Sequence, residues 1–303
     1  MNSDAAPVLG IAGLGLIGGS LALALRRAGA VSRVIAWDRD PEVLQRGLDF
    51  GVIDEVDDRL EGLAGRVDVL VLAAPTRAAE RLLARLFELT DGATRGPWIS
   101  DVASVKGGLC ELARAQASGA PRFVPGHPIA GSERSGVGAA DPALFREHRV
   151  ILTPLASTAA PGVALITGLW EAAGASVVQM PVDEHDAVLA ATSHLPHALA
   201  FTLVYTLAES ERSSDIFRFA AGGFRDFTRI ASGDPVMWRD IALANGPALL
   251  ASLDAFAAQL ARVRGAIAAA DGAALQQTFA AAKAARDEFA RDLRARQRRK
   301  PPH

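Results

Sequence analysis

The sequence predicts an α/β fold in which an N-terminal dinucleotide-binding domain, built on a parallel sheet, precedes an all-helical domain. Three observations carry this. Short apolar runs of strand length alternate with helical patterns from Val8 to Met180, as expected of strands buried on both faces by crossover helices. The first run leads into Gly13-Leu14-Gly15-Leu16-Ile17-Gly18, a glycine turn that opens a helix. Beyond Pro181 strand runs cease, and alanine, leucine and phenylalanine recur at helical spacing as far as Leu293.

Composition sets the outer limits. The 303 residues suffice for two cores, at about 150 residues per domain. A net charge of −2, with basic and acidic residues interspersed, supplies no general field for nucleic acid or an anionic membrane. A single cysteine, Cys110, excludes an internal disulfide or a cysteine-built zinc site and suits a reducing compartment. The N-terminus has no basic region leading into an apolar core, so no secretory signal is expected. No uncharged apolar run is seen to approach the roughly 18 to 20 residues of a membrane span. A cytoplasmic location is expected.

In chain order, Val8 to Ala12 reads as a strand, and Leu21 to Ala28 as the helix after the glycine turn. Such a Rossmann-type unit needs Gly13 for a tight turn, Gly15 for close approach of the backbone to a pyrophosphate, and Gly18 for packing of helix on strand. The phosphates then rest on the helix N-terminus. A second strand, Arg33 to Trp37, ends in Asp38, twenty residues past Gly18, the reach to the adenosine ribose hydroxyls. A carboxylate there repels a 2′-phosphate, so NAD is favoured over NADP, with the neighbouring Arg39 as the reservation.

Pro41 to Phe50 and Thr76 to Leu89 read as helices, and Val67 to Ala74 and Trp98 to Val102 as strands. Ser104, in Asp101-Val102-Ala103-Ser104-Val105-Lys106, suits a helix N-cap or a functional hydroxyl, and Lys106 reads equally well as a solvated surface charge. The apolar run Phe123 to Pro125 then leads into Gly126-His127-Pro128-Ile129-Ala130-Gly131-Ser132-Glu133. His127 is expected where the chain leaves the sheet edge, because ligands of open α/β sheets collect beyond the carboxyl ends of the strands. Arg149 to Thr153 and Ser176 to Met180 are expected to complete the same sheet, flanking a helix at Thr158 to Ala173. The domains are therefore placed at 1–181 and 182–303.

The second half carries helices at Val188 to Glu209, Pro247 to Ala270 and Ala273 to Leu293. Helices this apolar bury more than one face, which implies helices of a second subunit. From about Arg294 the chain is basic and ends in prolines, a frayed and solvated tail rather than a nucleic-acid arm. Two polar clusters interrupt the helices. Glu184-His185-Asp186 and Ser193-His194-Leu195-Pro196-His197 form the first; no further ligands argue for a metal, and histidines satisfied by backbone at a kinked helix are the alternative. The second runs from Gly222 to Arg229 and from Asp234 to Asp240. Arginine suits a carboxylate fork, and within this cluster Arg225 and Arg239 are expected to form surface ion pairs with Asp226 and Asp240.

Taken together, GLGLIGGS, the D-x-x-S-x-K of Asp101 to Lys106, GHPIAGSE, ATSHLPHA from Ala191, GGFRDFTRIA from Gly222 and DPVMWRDI from Asp234 resemble the prephenate and arogenate dehydrogenases of tyrosine biosynthesis. The motifs occur in that family's order and span Val8 to Leu293. The resemblance implies oxidative decarboxylation of prephenate to 4-hydroxyphenylpyruvate, or of arogenate to tyrosine, with NAD or NADP taking the hydride, by a homodimer joined through its helical domain. It implies that His127 accepts the proton of the ring hydroxyl and that Ser104 orients His127 and substrate. It further implies that Arg229 grips the ring carboxylate, that Trp238 and Gly222 line the pocket, and that His197 lies near the substrate side chain. Glu133 would pair with an arginine at the pocket mouth and gate it. No metal is required. Two alternatives remain at this stage: a small β-hydroxy acid dehydrogenase, disfavoured because Val182 to Ile230 contains no lysine, and an NAD-binding sensor without turnover.

Overall fold

A computed structural model describes residues 6–131 and 134–298. The chain opens with β1 (Val8–Ala12), α1 (Leu16–Arg27), β2 (Arg33–Trp37), α2 (Pro41–Asp49), β3 (Glu55–Val56) and α3 (Leu60–Arg66). It continues with β4 (Val69–Leu72), α4 (Thr76–Leu89), β5 (Trp98–Asp101), α5 (Gly107–Arg114) and β6 (Phe123–Val124). These strands form one parallel sheet in the order β3-β2-β1-β4-β5-β6. The order reverses between β1 and β4, and the crevice at the carboxyl ends of that pair is where such sheets bind ligands.

The sheet is held by burial on both faces. Leu9, Ile11, Val34, Val69 and Val71 point into one apolar cluster, while Ala12, Ile35, Leu70, Leu72 and Ile99 point into the other, following the two-residue period of a strand. All four residues of β4 are buried. Truncating one of its leucines to alanine would cost about 2–5 kcal/mol.

A second sheet follows, made of β7 (Gly126–Pro128), β8 (Arg149–Leu152) and β9 (Ser176–Gln179), with α6 (Ala160–Ala172) crossing between the last two. This corrects the expectation of one continuous sheet. Pro125 lies between β6 and β7 and has no N–H to extend the first ladder; its carbonyl instead accepts the Thr153 N–H at 3.0 Å. The chain changes partner there, and β7 pairs antiparallel with β8, placing His127 opposite Ile151. His127 is thus the central residue of an edge strand, not a loop residue leaving a sheet.

The helical part begins with α7 (Val182–Leu189), a π turn (Ala190–His194) and α8 (Leu195–Ala208). The π turn precedes Pro196, whose missing N–H and ring disturb the preceding turn of a helix. Then come α9 (Ser213–Arg218), α10 (Gly222–Thr228), a 3₁₀ turn (Arg229–Ser232), α11 (Pro235–Ala244), α12 (Gly246–Ala268) and α13 (Gly272–Arg298). Asp234 caps α11 by accepting the N–H groups of Val236 and Met237 at 2.7 and 2.9 Å.

The chain divides into a compact unit ending at Leu249 and a second unit from Leu250. The first compact unit includes helices beyond Pro181, because α7 packs on α5 and α11 on α4. In the second unit, Leu260, Ile267, Phe279 and Phe289 are 57%, 63%, 57% and 59% exposed, more apolar surface than an isolated helical hairpin ordinarily shows to water. The tail expected to fray from about Arg294 is helical as far as Arg298.

The expected lack of a long apolar run is also corrected. The 27-residue stretch 182–208 contains an 18-residue segment of mean hydropathy 1.4 and is, by length and composition, long and apolar enough to cross a membrane. Ser193, His194, Pro196 and His197 interrupt its apolarity without adding a carboxylate or ammonium.

Candidate active site

The glycine turn fits a dinucleotide. Gly13 has φ +102°, and a Cβ there would lie 2.6 Å from the Ala73 carbonyl oxygen; a side chain at Gly18 would collide with the Gly13 carbonyl. Both positions therefore require glycine. A Cβ on Gly15, by contrast, meets no protein atom within 4 Å, so that glycine leaves open the space before the N-terminus of α1, where backbone N–H groups favour phosphate. Asp38 follows β2 with a carboxylate that accepts the Leu14 N–H at 2.8 Å and the Asp40 N–H at 3.0 Å. It anchors the glycine turn besides standing where ribose hydroxyls are expected.

His127 is 8% exposed, and its Nδ1 lies 2.9 Å from His185 Nε2. His185, wholly buried, places its Nδ1 2.7 Å from Asp186 Oδ1. The Asp186 carboxylate also accepts the N–H groups of Lys106 and Gly107 at 3.0 and 2.8 Å. Burial would raise this carboxyl's pKa, but the hydrogen bonds from His185, Lys106 and Gly107 outweigh that and hold it below the usual range. Burial is the largest influence on His127 and pushes its pKa well below 6.5; the charge of Lys106, and His185 and His194 whenever they are protonated, act in the same direction. The His127 ring is neutral at physiological pH.

Lys106 is not the solvated charge that its sequence context allows. It is wholly buried, pairs with Asp101 and donates to the Gly126 carbonyl at 2.6 Å. Asp101 in turn accepts the Gly126 N–H at 3.3 Å. Gly126, the residue before His127, is thereby held through both its N–H and its carbonyl by one ion pair. Ser104 is not an N-cap, since α5 starts at Gly107 with Lys106 in the cap position. It is half-buried in the bend between Asp101 and Lys106, and among the described residues no hydrogen bond joins it to His127.

On the helical side, Asn245 donates to the Asp186 carbonyl at 2.8 Å and lies 3.0 Å from His194 Nδ1. Burial, the largest influence, brings the His194 pKa down to about 4. His197 stacks on Trp238, with ring centroids 3.5 Å apart and planes 20° from parallel, and its Nδ1 donates to the Ser193 carbonyl at 2.9 Å. Burial lowers the His197 pKa, and Arg229 nearby lowers it further. His194, His197, Phe201, Trp238 and Leu249 belong to the wall of a pocket of about 300 Å³.

Arg225 and Arg239 pair with Asp226 and Asp240 as expected, while among the described residues Arg229 makes no ion pair. Gly222 begins α10, exposed, with nothing within 4 Å of an added Cβ. Glu133 and Ser132 lie outside the described residues. Sequence reasoning thus gathered His127, His197, Trp238 and Arg229 but assigned no part to His185, Asp186, Lys106 or Asn245. The signal for the first two was present in Glu184-His185-Asp186, whereas nothing in the sequence marks Asn245.

A glycine cradle, an acid at the end of the second strand and a buried neutral histidine in the same unit define a nicotinamide-dinucleotide oxidoreductase. The family described as "Prephenate dehydrogenase, nucleotide-binding domain" matches residues 21–179, and "Prephenate dehydrogenase, dimerization domain" matches 181–281. The chain belongs to the prephenate dehydrogenase family. It is 37% identical to a cyclohexadienyl dehydrogenase of Zymomonas mobilis over 92% of this chain and 94% of that one. Among solved structures, prephenate dehydrogenase from A. aeolicus in complex with hydroxyphenyl propionate and NAD+ superposes with a TM-score of 0.85 at 34% identity, covering 95% of this chain and 100% of that one. Synechocystis arogenate dehydrogenase gives a TM-score of 0.78 at 28% identity, covering 93% and 99%.

Proposed function

We propose that this chain oxidatively decarboxylates prephenate to 4-hydroxyphenylpyruvate with NAD as hydride acceptor, acting as a cytoplasmic homodimer. The observation that carries the reading is His127, held neutral in a buried strand of the same unit that carries the dinucleotide cradle. NAD, bound by Gly13, Gly15, Gly18 and Asp38, supplies the hydride-accepting ring. His127 accepts the proton of the substrate's ring hydroxyl, a role worth roughly 10²- to 10⁴-fold. Arg229, which pairs with no acid among the described residues, is available to orient the ring carboxylate. His197, clamped between Trp238 and the Ser193 carbonyl, faces the remainder of the substrate. Carbon dioxide loss and aromatisation drive the reaction, so the residues chiefly align carbon with nicotinamide and remove one proton. A second copy of the chain covers the exposed apolar side chains of α12 and α13.

The test is nicotinamide reduction by purified protein with NAD or NADP crossed against prephenate or arogenate. Turnover with NAD and prephenate is expected, and the arogenate arms read out the side-chain preference. Silence in all four combinations by folded protein that binds NAD would overturn the assignment.

A further inference from the structure

We infer that His185 and Asp186 are positioning residues that lock His127 in a single tautomer, with its proton on Nδ1 and its lone pair on Nε2. The inference follows from valence along one chain of contacts. Ionised Asp186 can only accept, so the proton in the 2.7 Å contact belongs to His185 Nδ1. A neutral His185 then carries its lone pair on Nε2. The 2.9 Å contact from that atom to His127 Nδ1 requires a proton on the latter, which leaves Nε2 of His127 as the free base. With both rings neutral, no other arrangement satisfies both contacts.

The geometry gives the lock its rigidity. His185 has no solvent exposure and Asp186 has 13% of its side chain exposed, so water is a poor substitute for either partner. Asp186 is fixed in turn by the Lys106 and Gly107 N–H groups at the start of α5, and its carbonyl by Asn245. An imidazole free of such constraints prefers the opposite tautomer, with the proton on Nε2. Without the lock, the nitrogen that must accept the substrate proton would mostly carry one already. The edge-on packing of the two rings, with centroids 5.1 Å apart, also sets the direction in which His127 Nε2 points.

The lock itself stands on the contacts above; its kinetic consequence rests on the proposed proton abstraction by His127. The experiment is ¹⁵N-detected histidine NMR on the full-length protein, with the His127 signals assigned by their loss in His127→Asn. A protonated Nδ1 and an unprotonated Nε2 on His127 at neutral pH are expected, and the reverse would overturn the inference without any variant being made. The kinetic arm compares His185→Leu, which removes the acceptor, with His185→Gln, whose side-chain carbonyl can still accept from His127 Nδ1. His185→Leu should lower kcat by roughly 10²- to 10⁴-fold, the range of a general base's contribution and, at its upper end, the cost of a wrong tautomer in another histidine base, with KM and NAD affinity within about twofold. His185→Gln should recover most of that loss. Equal loss in both variants, with NAD binding retained, would reduce His185 to a packing residue. Should the wild type oxidise no substrate while His127 carries its proton on Nδ1, the proposed reaction fails and the lock stands.

Discussion

The ammonium of Lys106 and the carboxylate of Asp101 are in direct contact with neither side chain exposed to solvent, and together they hold Gly126, the residue before His127. Lys106 donates to the Gly126 carbonyl at 2.6 Å while Asp101 accepts the Gly126 N–H at 3.3 Å. Removing one partner leaves the other charge buried and unpaired, at a cost of about 3–5 kcal/mol. Lys106→Met should therefore lower the denaturant midpoint substantially, and Asp101→Asn combined with it should recover part of the loss. A single substitution that leaves the unfolding curve unchanged would contradict the buried pair.

His127→Asn is expected to leave NAD binding within about twofold and to reduce kcat by roughly 10²-fold or more, the contribution of a general base. Calorimetry and steady-state kinetics check the two halves separately. Turnover preserved in this variant would remove His127 from the chemistry.

The glycines of the cradle should respond differently to alanine. At Gly13 a Cβ meets the Ala73 carbonyl in a left-handed backbone conformation, so Gly13→Ala should destabilise the apo protein. Gly15→Ala meets open space at a φ of −94°, so its thermal midpoint should stay near that of the wild type while NAD affinity falls at least about tenfold as the new methyl enters the space beside the phosphates. Thermal melts with and without NAD distinguish the two.

Stability should fall on acidification through a window marked by the buried histidines. His194 titrates at about 4 in the fold against 6.5 unfolded, so between those values the unfolded chain binds the extra proton. Its contribution is fully present above about pH 6.5 and lost as pH falls toward 4, amounting to about 3 kcal/mol at about 1.4 kcal/mol per unit. His127, lowered in the same direction, adds to the loss. Urea midpoints from pH 7 to pH 4 should decline, and His194→Gln should flatten the decline if it folds. A flat profile for the wild type would place these rings in contact with water.

Much of the architecture was legible because it is local. The strand periods of β1, β2 and β4, the glycine turn and the helical repeats beyond Pro181 each depend on neighbours within one element, so residue order alone specifies them. The motifs around His127, His197 and Arg229 were legible for the same reason, being contiguous in the chain. Tertiary packing decided the rest. Pro125 moved β7 out of the first sheet, because a residue without an N–H ended one ladder and β8 supplied another. Lys106 became buried because Asp101 and Gly126 offered it partners, and His185 reached His127 across 58 residues of sequence. Whether a polar side chain is solvated, paired or poised for chemistry depends on which distant groups replace its water, and no local period in the sequence encodes that.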